Sequence, residues 1–245
     1  MKISHLKNLS YTDLKEIAED MDIKISKNKD ELIKSMLRCF KEWEKYKKEK
    51  IDKYEKVKQL GNKGKEGVTY LVVTKEGDEY AMKTFKKNKS SDFLKKEAHL
   101  QELASKFNIA PKIIEVDTVK KTIVMEKMDK HLFDVIKDQD GDLTEKQQKD
   151  IINIFKNLDK AKVFHADSNI LNYMYKGKKL YIIDFGMSKY IDDKLIEKLG
   201  TETPNIDLMT LGFILKLKEL NCKKTSYSYL IKYVSDNNII AFNLV

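Results

Sequence analysis

Hydrophobic and polar positions change their spacing along the chain, and these changes divide it into segments. Over residues 1–40 apolar side chains recur every three or four positions, which predicts two short amphipathic helices. Ser10 is the candidate N-cap of the first helix, and Ser26 or Asn28 that of the second. A highly charged run over residues 41–58 predicts a solvated connecting helix, because opposite charges often sit at helical spacing there.

Beyond Gly67 the period of the pattern becomes two, which is typical of β-strands. Two such runs flank a turn at residues 76–78 and predict an antiparallel hairpin. The two runs cover residues 68–74 and 79–85. Beyond them the pattern predicts a helix near 91–107, strands at 112–116 and 122–126, and mostly helices from Leu132. The expected fold class is α+β, with a β-rich lobe, a helical lobe and a small helical module in front.

Composition narrows the class of protein. With 245 residues and 41% hydrophobic residues, the chain is long enough for a full core, which excludes fibrous and wholly disordered classes. The net charge of +9 favours anionic partners such as nucleotides or nucleic acid. No apolar run is long enough to span a membrane, so we expect a soluble, intracellular protein without a membrane partner. Cys39 and Cys222 lie far apart without neighbouring ligands, which argues against a disulfide or a zinc site.

Glycines at three-residue spacing precede the first strand of the hairpin. Gly61, Gly64 and Gly67 would let backbone N–H groups approach a polyphosphate, although a plain glycine-containing hairpin is the commoner explanation of such spacing. In the second strand, alternation places Ala81 and Lys83 on one face, so that a flat ring could pack beside a lysine that reaches toward phosphates.

The segment from His165 to Gly186 carries the strongest chemical pattern. Asp167 and Asn172 stand five residues apart on an expected loop, and Asp184 ends the buried strand that follows it. Two acids and an amide in this order can converge on one magnesium–phosphate cluster, because Mg²⁺ prefers oxygen ligands. The order, the spacing and the intervening hairpin together make coincidence improbable.

Over residues 54–212 these motifs resemble the protein-kinase-like superfamily. The resemblance implies an enzyme that binds ATP and Mg²⁺ and phosphorylates Ser or Thr hydroxyls of a protein substrate. Asp167 would be the catalytic base, Lys83 would contact phosphates and pair with Glu97, and Asn172 and Asp184 would be metal ligands. His165 and Asp207 would support the catalytic loop, Asp207 as a buried acid. The nucleotide would contact Leu60, Gly61, Gly64, Gly67, Val68 or Thr69, Ala81, Lys83 and Glu97, with Met125 as gatekeeper and Glu126 and Met128 in the hinge.

Departures from the usual kinase pattern leave the substrate open. Ala166 replaces an arginine that pairs with a phosphorylated activation loop, and Asn169 replaces a lysine common in Ser/Thr kinases. The stretch from Gly186 to Asp207 is short, and this compactness resembles RIO-type kinases, the kinase of the KEOPS tRNA-modification complex and, most closely, kinase-like proteins of large DNA viruses. The segments at 64–72 and 97–117 carry the resemblance to the viral proteins. A small-molecule kinase, a complex-dependent ATPase and a DNA-tethered scaffold with a kinase fold are therefore the alternatives.

The N-terminal stretch over residues 9–37 resembles a SAP motif, a small helical module that binds DNA in many proteins. Lys27, Lys29 and Lys34 are the candidate DNA contacts, and a packing or protein-docking role is the alternative. The expected divisions are a SAP-like module at 1–40, a connector at 41–53, an N-lobe at 54–128 and a C-lobe at 129–245. The resemblance leaves cytoplasm, nucleus, virion and viral factory open as locations.

Overall fold

Helices α1 (Ile3–Asn8), α2 (Tyr11–Asp20) and α3 (Lys29–Ile51) form the N-terminal part of this computed structural model, which describes residues 3–51, 53–62 and 64–244. The Ser10 hydroxyl accepts a hydrogen bond from the Asp13 N–H, and the Asp13 carboxylate accepts one from the Ser10 N–H, so Ser10 caps α2 as expected. Asn28 accepts from the Asp30 N–H at the start of α3. The apolar faces meet in a core made of Leu6, Leu14, Ala18, Leu32, Ile33 and Met36.

The run predicted as a connecting helix over residues 41–58 is helical only to Ile51, and it continues α3 instead of forming an element of its own. Helix α3 runs without interruption from Lys29 to Ile51, because no glycine or proline breaks it, and strand β1 (Glu55–Leu60) follows. The chain divides into two units, one of which holds residues up to Glu55 with 74–77, and the other the remaining residues. The four sequence-based domain boundaries stay predictions.

The second unit begins with a five-stranded antiparallel sheet in the order β1-β2-β3-β5-β4. The predicted hairpin is confirmed, because β2 and β3 pair antiparallel with Leu71 opposite Ala81 and Thr69 opposite Lys83. Helix α4 packs its buried residues Leu94 and Ala98 on one face of the sheet. The bounds are β2 (Gly67–Val73), β3 (Glu79–Phe85), α4 (Ser91–Lys106), β4 (Ile113–Asp117) and β5 (Thr122–Glu126).

The rest of the second unit is mainly helical around a large apolar core, in which Phe155, Tyr173, Phe185 and Phe213 are fully buried. Between the helices, short strands form two small sheets in the orders β6-β8-β9 and β10-β7. The bounds are β6 (Lys130–His131), α5 (Leu132–Asp138), α6 (Glu145–Lys160), β7 (Val163–Phe164), β8 (Tyr173–Lys176), β9 (Lys179–Ile182), β10 (Lys189–Tyr190), α7 (Asp193–Leu199), α8 (Thr210–Glu219) and α9 (Asp236–Ala241).

The expected α+β class is confirmed, with an antiparallel sheet followed by helical segments. In the part of the chain that the structure describes, no helix combines the length and the apolar character needed to cross a membrane.

Candidate active site

Lys83, on the central strand β3, is the hub of the candidate site. Its Nζ lies 2.6 Å from Glu97 Oε1 on α4, 2.8 Å from Asp184 Oδ1 and 3.1 Å from Glu66 Oε2. The pair of Lys83 with Glu97 was expected from the sequence. The structure also brings Asp184, 101 residues away along the chain, to the same ammonium group. The single cation therefore joins the sheet, α4 and the loop after β9.

Burial and charge oppose each other in this cluster. Burial by itself would lower the pKa of Lys83, but the carboxylates of Glu97 and Asp184 raise that pKa above its ordinary value. Burial raises the pKa of Glu97 to about 7, although Lys83 counteracts the shift. Burial also acts to raise the pKa of Asp184, but Lys83 outweighs it, so that pKa is lowered and Asp184 stays ionised at neutral pH. The cluster thus keeps a charged lysine beside a charged Asp184.

The glycine-rich loop between β1 and β2 turns tightly. Gly61 has a φ of +67°, which favours glycine, and the Gly64 N–H donates to the Gly67 carbonyl over 2.9 Å. At Gly67 a Cβ would lie only 2.2 Å from the Thr84 carbonyl oxygen of β3, so a side chain cannot be accommodated without a backbone shift. The glycines permit the turn and the close strand approach, while phosphate contacts remain a prediction.

Strand register decides which side chains share a face with Lys83. Directly opposed residues of antiparallel strands point to the same face, so Thr69 and Met125, the partners of Lys83 and Ala81, lie on the Lys83 face. Val68 lies opposite Thr84 and points to the other face. The expectation that Val68 packs on adenine beside Ala81 is therefore wrong, and the alternative, Thr69, occupies the required face.

The expected hinge begins at the end of β5. The Glu126 side chain accepts from the Lys112 N–H at 2.9 Å and pairs with Lys176 at 3.0 Å, so it braces the segment. Met128 is buried, and among the hydrogen bonds of the described residues none engages its backbone N–H or C=O. Unpaired backbone groups of this kind suit the polar edge of a flat heteroaromatic ring.

The expected catalytic loop closes around Asp167. The Asn172 amide nitrogen donates to Asp167 Oδ2 at 2.9 Å, and the Asn169 N–H donates to Oδ1 at 3.1 Å. Asn169 in turn accepts from the Leu171 N–H at 3.1 Å. Ala166 holds a φ of +62°, an uncommon conformation for a residue with a side chain. These bonds hold the Asp167 carboxylate in one orientation on a half-buried loop.

The two candidate metal ligands belong to adjacent chain segments. The Ile183 N–H donates to the Asn172 carbonyl at 2.8 Å, which places Asn172 next to the residue that precedes Asp184. Asp184 has a φ of +64° and its side chain is 50% exposed, so it is partly open to solvent. With the Asn172 amide nitrogen engaged, its oxygen remains for a cation, and an amide oxygen with a carboxylate is the donor chemistry that Mg²⁺ prefers. The residues present fit the implied ion.

His165 is fully buried beneath this loop. Its Nδ1 lies 3.2 Å from the Asp167 carbonyl and its Nε2 3.0 Å from the Ile183 carbonyl, and its ring packs against Phe185. Burial lowers the pKa of His165, so the neutral ring donates from one nitrogen only. The ring therefore links the Asp167 and Ile183 carbonyls, and its role as support for the catalytic loop stays a prediction.

The expectation that Asp207 is the buried acid of this support is wrong. Asp207 is exposed and accepts hydrogen bonds from the Thr201 and Thr203 hydroxyls. Two residues apart on a helical turn, side chains point in nearly opposite directions, so Asn205 faces inward instead.

Asn205, which the sequence analysis missed, is completely buried and accepts from the His165 N–H at 3.1 Å. Its amide nitrogen donates to Asp159 Oδ1 at 2.6 Å and to the Val163 carbonyl at 2.8 Å. The available signal in the sequence was a polar residue within the largely apolar stretch over residues 204–214. Asn205 and Asp207 both fit that description, so the signal could not show which of them is buried.

The candidate DNA contacts belong to the first unit. Lys27 and Lys34 are exposed, whereas Lys29 is half-buried and donates to the Lys7 carbonyl at 3.3 Å. Asp22, which stands near a position often held by glycine in SAP motifs, adopts a φ of +55°. DNA binding and the SAP resemblance stay predictions.

Comparisons with known proteins gave two matches over parts of this chain. A family model described as a protein kinase domain matches residues 54–205, more than half of the chain. A "Probable bifunctional tRNA threonylcarbamoyladenosine biosynthesis protein" of Methanosphaera stadtmanae is 31% identical over 116 residues. That similarity covers 44% of this chain and 20% of the archaeal protein, so the chain spans about a fifth of that relative.

Proposed function

Since this chain belongs to the protein kinase domain family, we propose that it is a kinase that transfers the γ-phosphoryl group of ATP to Ser or Thr hydroxyls of a protein. The observation that carries the proposal is the cluster in which Lys83 joins Glu97 on α4 to Asp184 after β9. A lysine fixed in this way is preset to contact nucleotide phosphates, and phosphoryl transfer depends mainly on such positioning and charge.

Each remaining residue has a role in this proposal. Adenine lies against Ala81 and Thr69, and the backbone at Met128 bonds its edge. Asn172 and Asp184 hold Mg²⁺, which when bound neutralises phosphate charge. Asp167 accepts the proton of the substrate hydroxyl, whose oxygen forms a bond to the γ-phosphorus while the bond to the β-phosphate oxygen breaks and ADP leaves.

The test is transfer of labelled γ-phosphate from ATP with Mg²⁺ to the protein itself and to acidic and basic protein substrates. We expect Asp167→Asn and Asp184→Asn each to abolish transfer, because the first removes the proton acceptor and the second a metal ligand. Asp207→Asn is the matched control, since Asp207 is exposed and bonds only to nearby threonines. Transfer that survives Asp167→Asn at the wild-type rate would contradict the proposal.

The second candidate is an ATPase that works within a complex. The tRNA-modification name of the archaeal relative favours it, as does the short stretch between Gly186 and Asp207. ATP consumption without any phosphoprotein, again abolished by Asp184→Asn, would support this candidate over protein phosphorylation.

A DNA-tethering role for the first unit is a separate proposal. Exposed Lys27 and Lys34 support it, and phosphate contacts of this kind weaken steeply with salt. An electrophoretic shift of duplex DNA by the full chain at low salt, lost on changing both lysines to alanine, is the expected result. A shift that persists in the double variant would assign DNA binding to other residues.

A further inference from the structure

Glu66 lies in the glycine-rich loop, yet its side chain leaves the loop and enters the cluster around Lys83. Its Oε2 is 3.1 Å from Lys83 Nζ, and its Oε1 is 3.6 Å from Lys89 Nζ. Its side chain is only 18% exposed, although glycine-rich loops are expected at the surface. The Glu66 carbonyl also accepts from the Lys86 N–H at 2.8 Å, which ties the loop to the end of β3.

The three carboxylates use the whole bonding capacity of Lys83. An ammonium group has three N–H donors and no acceptor. Glu97, Asp184 and Glu66 lie 2.6, 2.8 and 3.1 Å from Nζ, one for each donor. A phosphate oxygen can therefore bind Lys83 only if one carboxylate leaves.

Glu66 is the carboxylate that can leave. Glu97 is 2% exposed on α4 and bonds Nζ at the shortest distance, and Asp184 is fixed by its turn after β9. Glu66 has the longest of the three distances and is carried by a loop. The cluster cannot serve as a cation site in this state, because the Lys83 ammonium lies among the three carboxylates.

The Glu66 carboxylate also reaches the segment that follows Asp184. A Cβ built at Gly186 would lie 2.0 Å from Glu66 Oε2, so the carboxylate lies directly against Gly186 and would have to shift to admit a side chain there. Glu66 thus spans from the glycine-rich loop to the residue after Phe185, across the region where phosphates would have to approach Lys83.

We propose that Glu66 is a competitor, built into the glycine-rich loop, for the phosphate groups of the nucleotide. The inference rests on the proposed function, because it takes ATP as the ligand. Phosphates displace Glu66 from Lys83 and open the loop, which lowers the affinity for phosphate-bearing nucleotides. Adenosine carries no phosphate, so its binding leaves the contact between Glu66 and Lys83 intact.

The test is calorimetric titration of the full chain with ATP, ADP and adenosine in Mg²⁺, comparing wild type, Glu66→Gln and Glu66→Ala. Both variants weaken the charge-assisted hydrogen bond between Lys83 and Glu66, with which the phosphates compete. We therefore expect ATP and ADP to bind about tenfold more tightly to both variants than to wild type. Adenosine should bind all three proteins equally, which separates competition from a general loosening of the pocket. Glu197→Gln, at an exposed position of α7, controls for the loss of one negative charge.

Weaker or unchanged ATP binding in Glu66→Gln would overturn the inference, and so would an equal gain for adenosine. Hydrogen exchange without nucleotide gives an independent measure of the contact, because the Lys86 amide is bonded to the Glu66 carbonyl. Faster exchange of that amide in Glu66→Gln supports closure of the loop by Glu66, and unchanged exchange contradicts it. If no protein bound ATP or adenosine, the proposed function itself would fail, while the exchange result would still judge the contact.

Discussion

Replacing Asn205 with alanine tests whether this buried amide holds the catalytic loop. The variant removes the bonds of the amide to Asp159, to the Val163 carbonyl and to the His165 N–H. Asp159 still accepts hydrogen bonds from the backbone N–H groups of residues 205 and 206, so it loses only one of its hydrogen bonds.

The magnitude follows from the groups left without a partner. The His165 N–H and the Val163 carbonyl are both buried, and an orphaned buried polar group costs about 1–3 kcal/mol. Together with the weakened Asp159 interaction, we expect a loss of roughly 4 kcal/mol in the free energy of unfolding, a large part of a typical total. Asn157→Ala is the matched control, because its side chain bonds only Asn153 on the same helix.

The assay is urea denaturation followed by far-ultraviolet circular dichroism, with hydrogen exchange over residues 159–172. The single tryptophan, Trp43, belongs to the first unit, so its fluorescence does not report on this network. A loss below about 1 kcal/mol in Asn205→Ala would refute the reasoning, since a substitution away from such features costs no more than that. A larger loss in Asp207→Ala than in Asn205→Ala would also refute it.

Three further changes probe other elements. Gly67→Ala should lower the Tm by about 5 °C or more, because the new Cβ meets a carbonyl of β3, while Gly64→Ala, with 3.6 Å of clearance, should have little effect in the same thermal scan. The pKa of Glu97 is raised from 4.5 to about 7, so the folded chain binds a proton that the unfolded chain has lost, and stability falls as pH rises through that interval. Glu97→Gln should flatten this slope of Tm against pH, and an unaltered slope would exclude Glu97 as its source. Ser10→Ala should cost about 1 kcal/mol and speed hydrogen exchange in α2, with exchange in β3 as the internal control.

The sequence by itself determined the elements whose signals are local. Period-two alternation specified β2 and β3, because side chains of a strand alternate between faces, and Ser10 specified the start of α2, because its hydroxyl satisfies a nearby N–H. The family also followed from sequence, since the order and spacing of Asp167, Asn172 and Asp184 are properties of the chain.

Only the tertiary structure decided which polar side chains meet. Strand pairing placed Thr69 rather than Val68 beside Lys83, because the face of a residue depends on its register with a partner strand. The helical turn after Pro204 placed Asn205 inward and Asp207 outward, although both are polar residues in one apolar stretch. Glu66 reached Lys83 because a loop folded back over the sheet. The spacing of residues along the chain does not show which carboxylates share the three donors of one ammonium group.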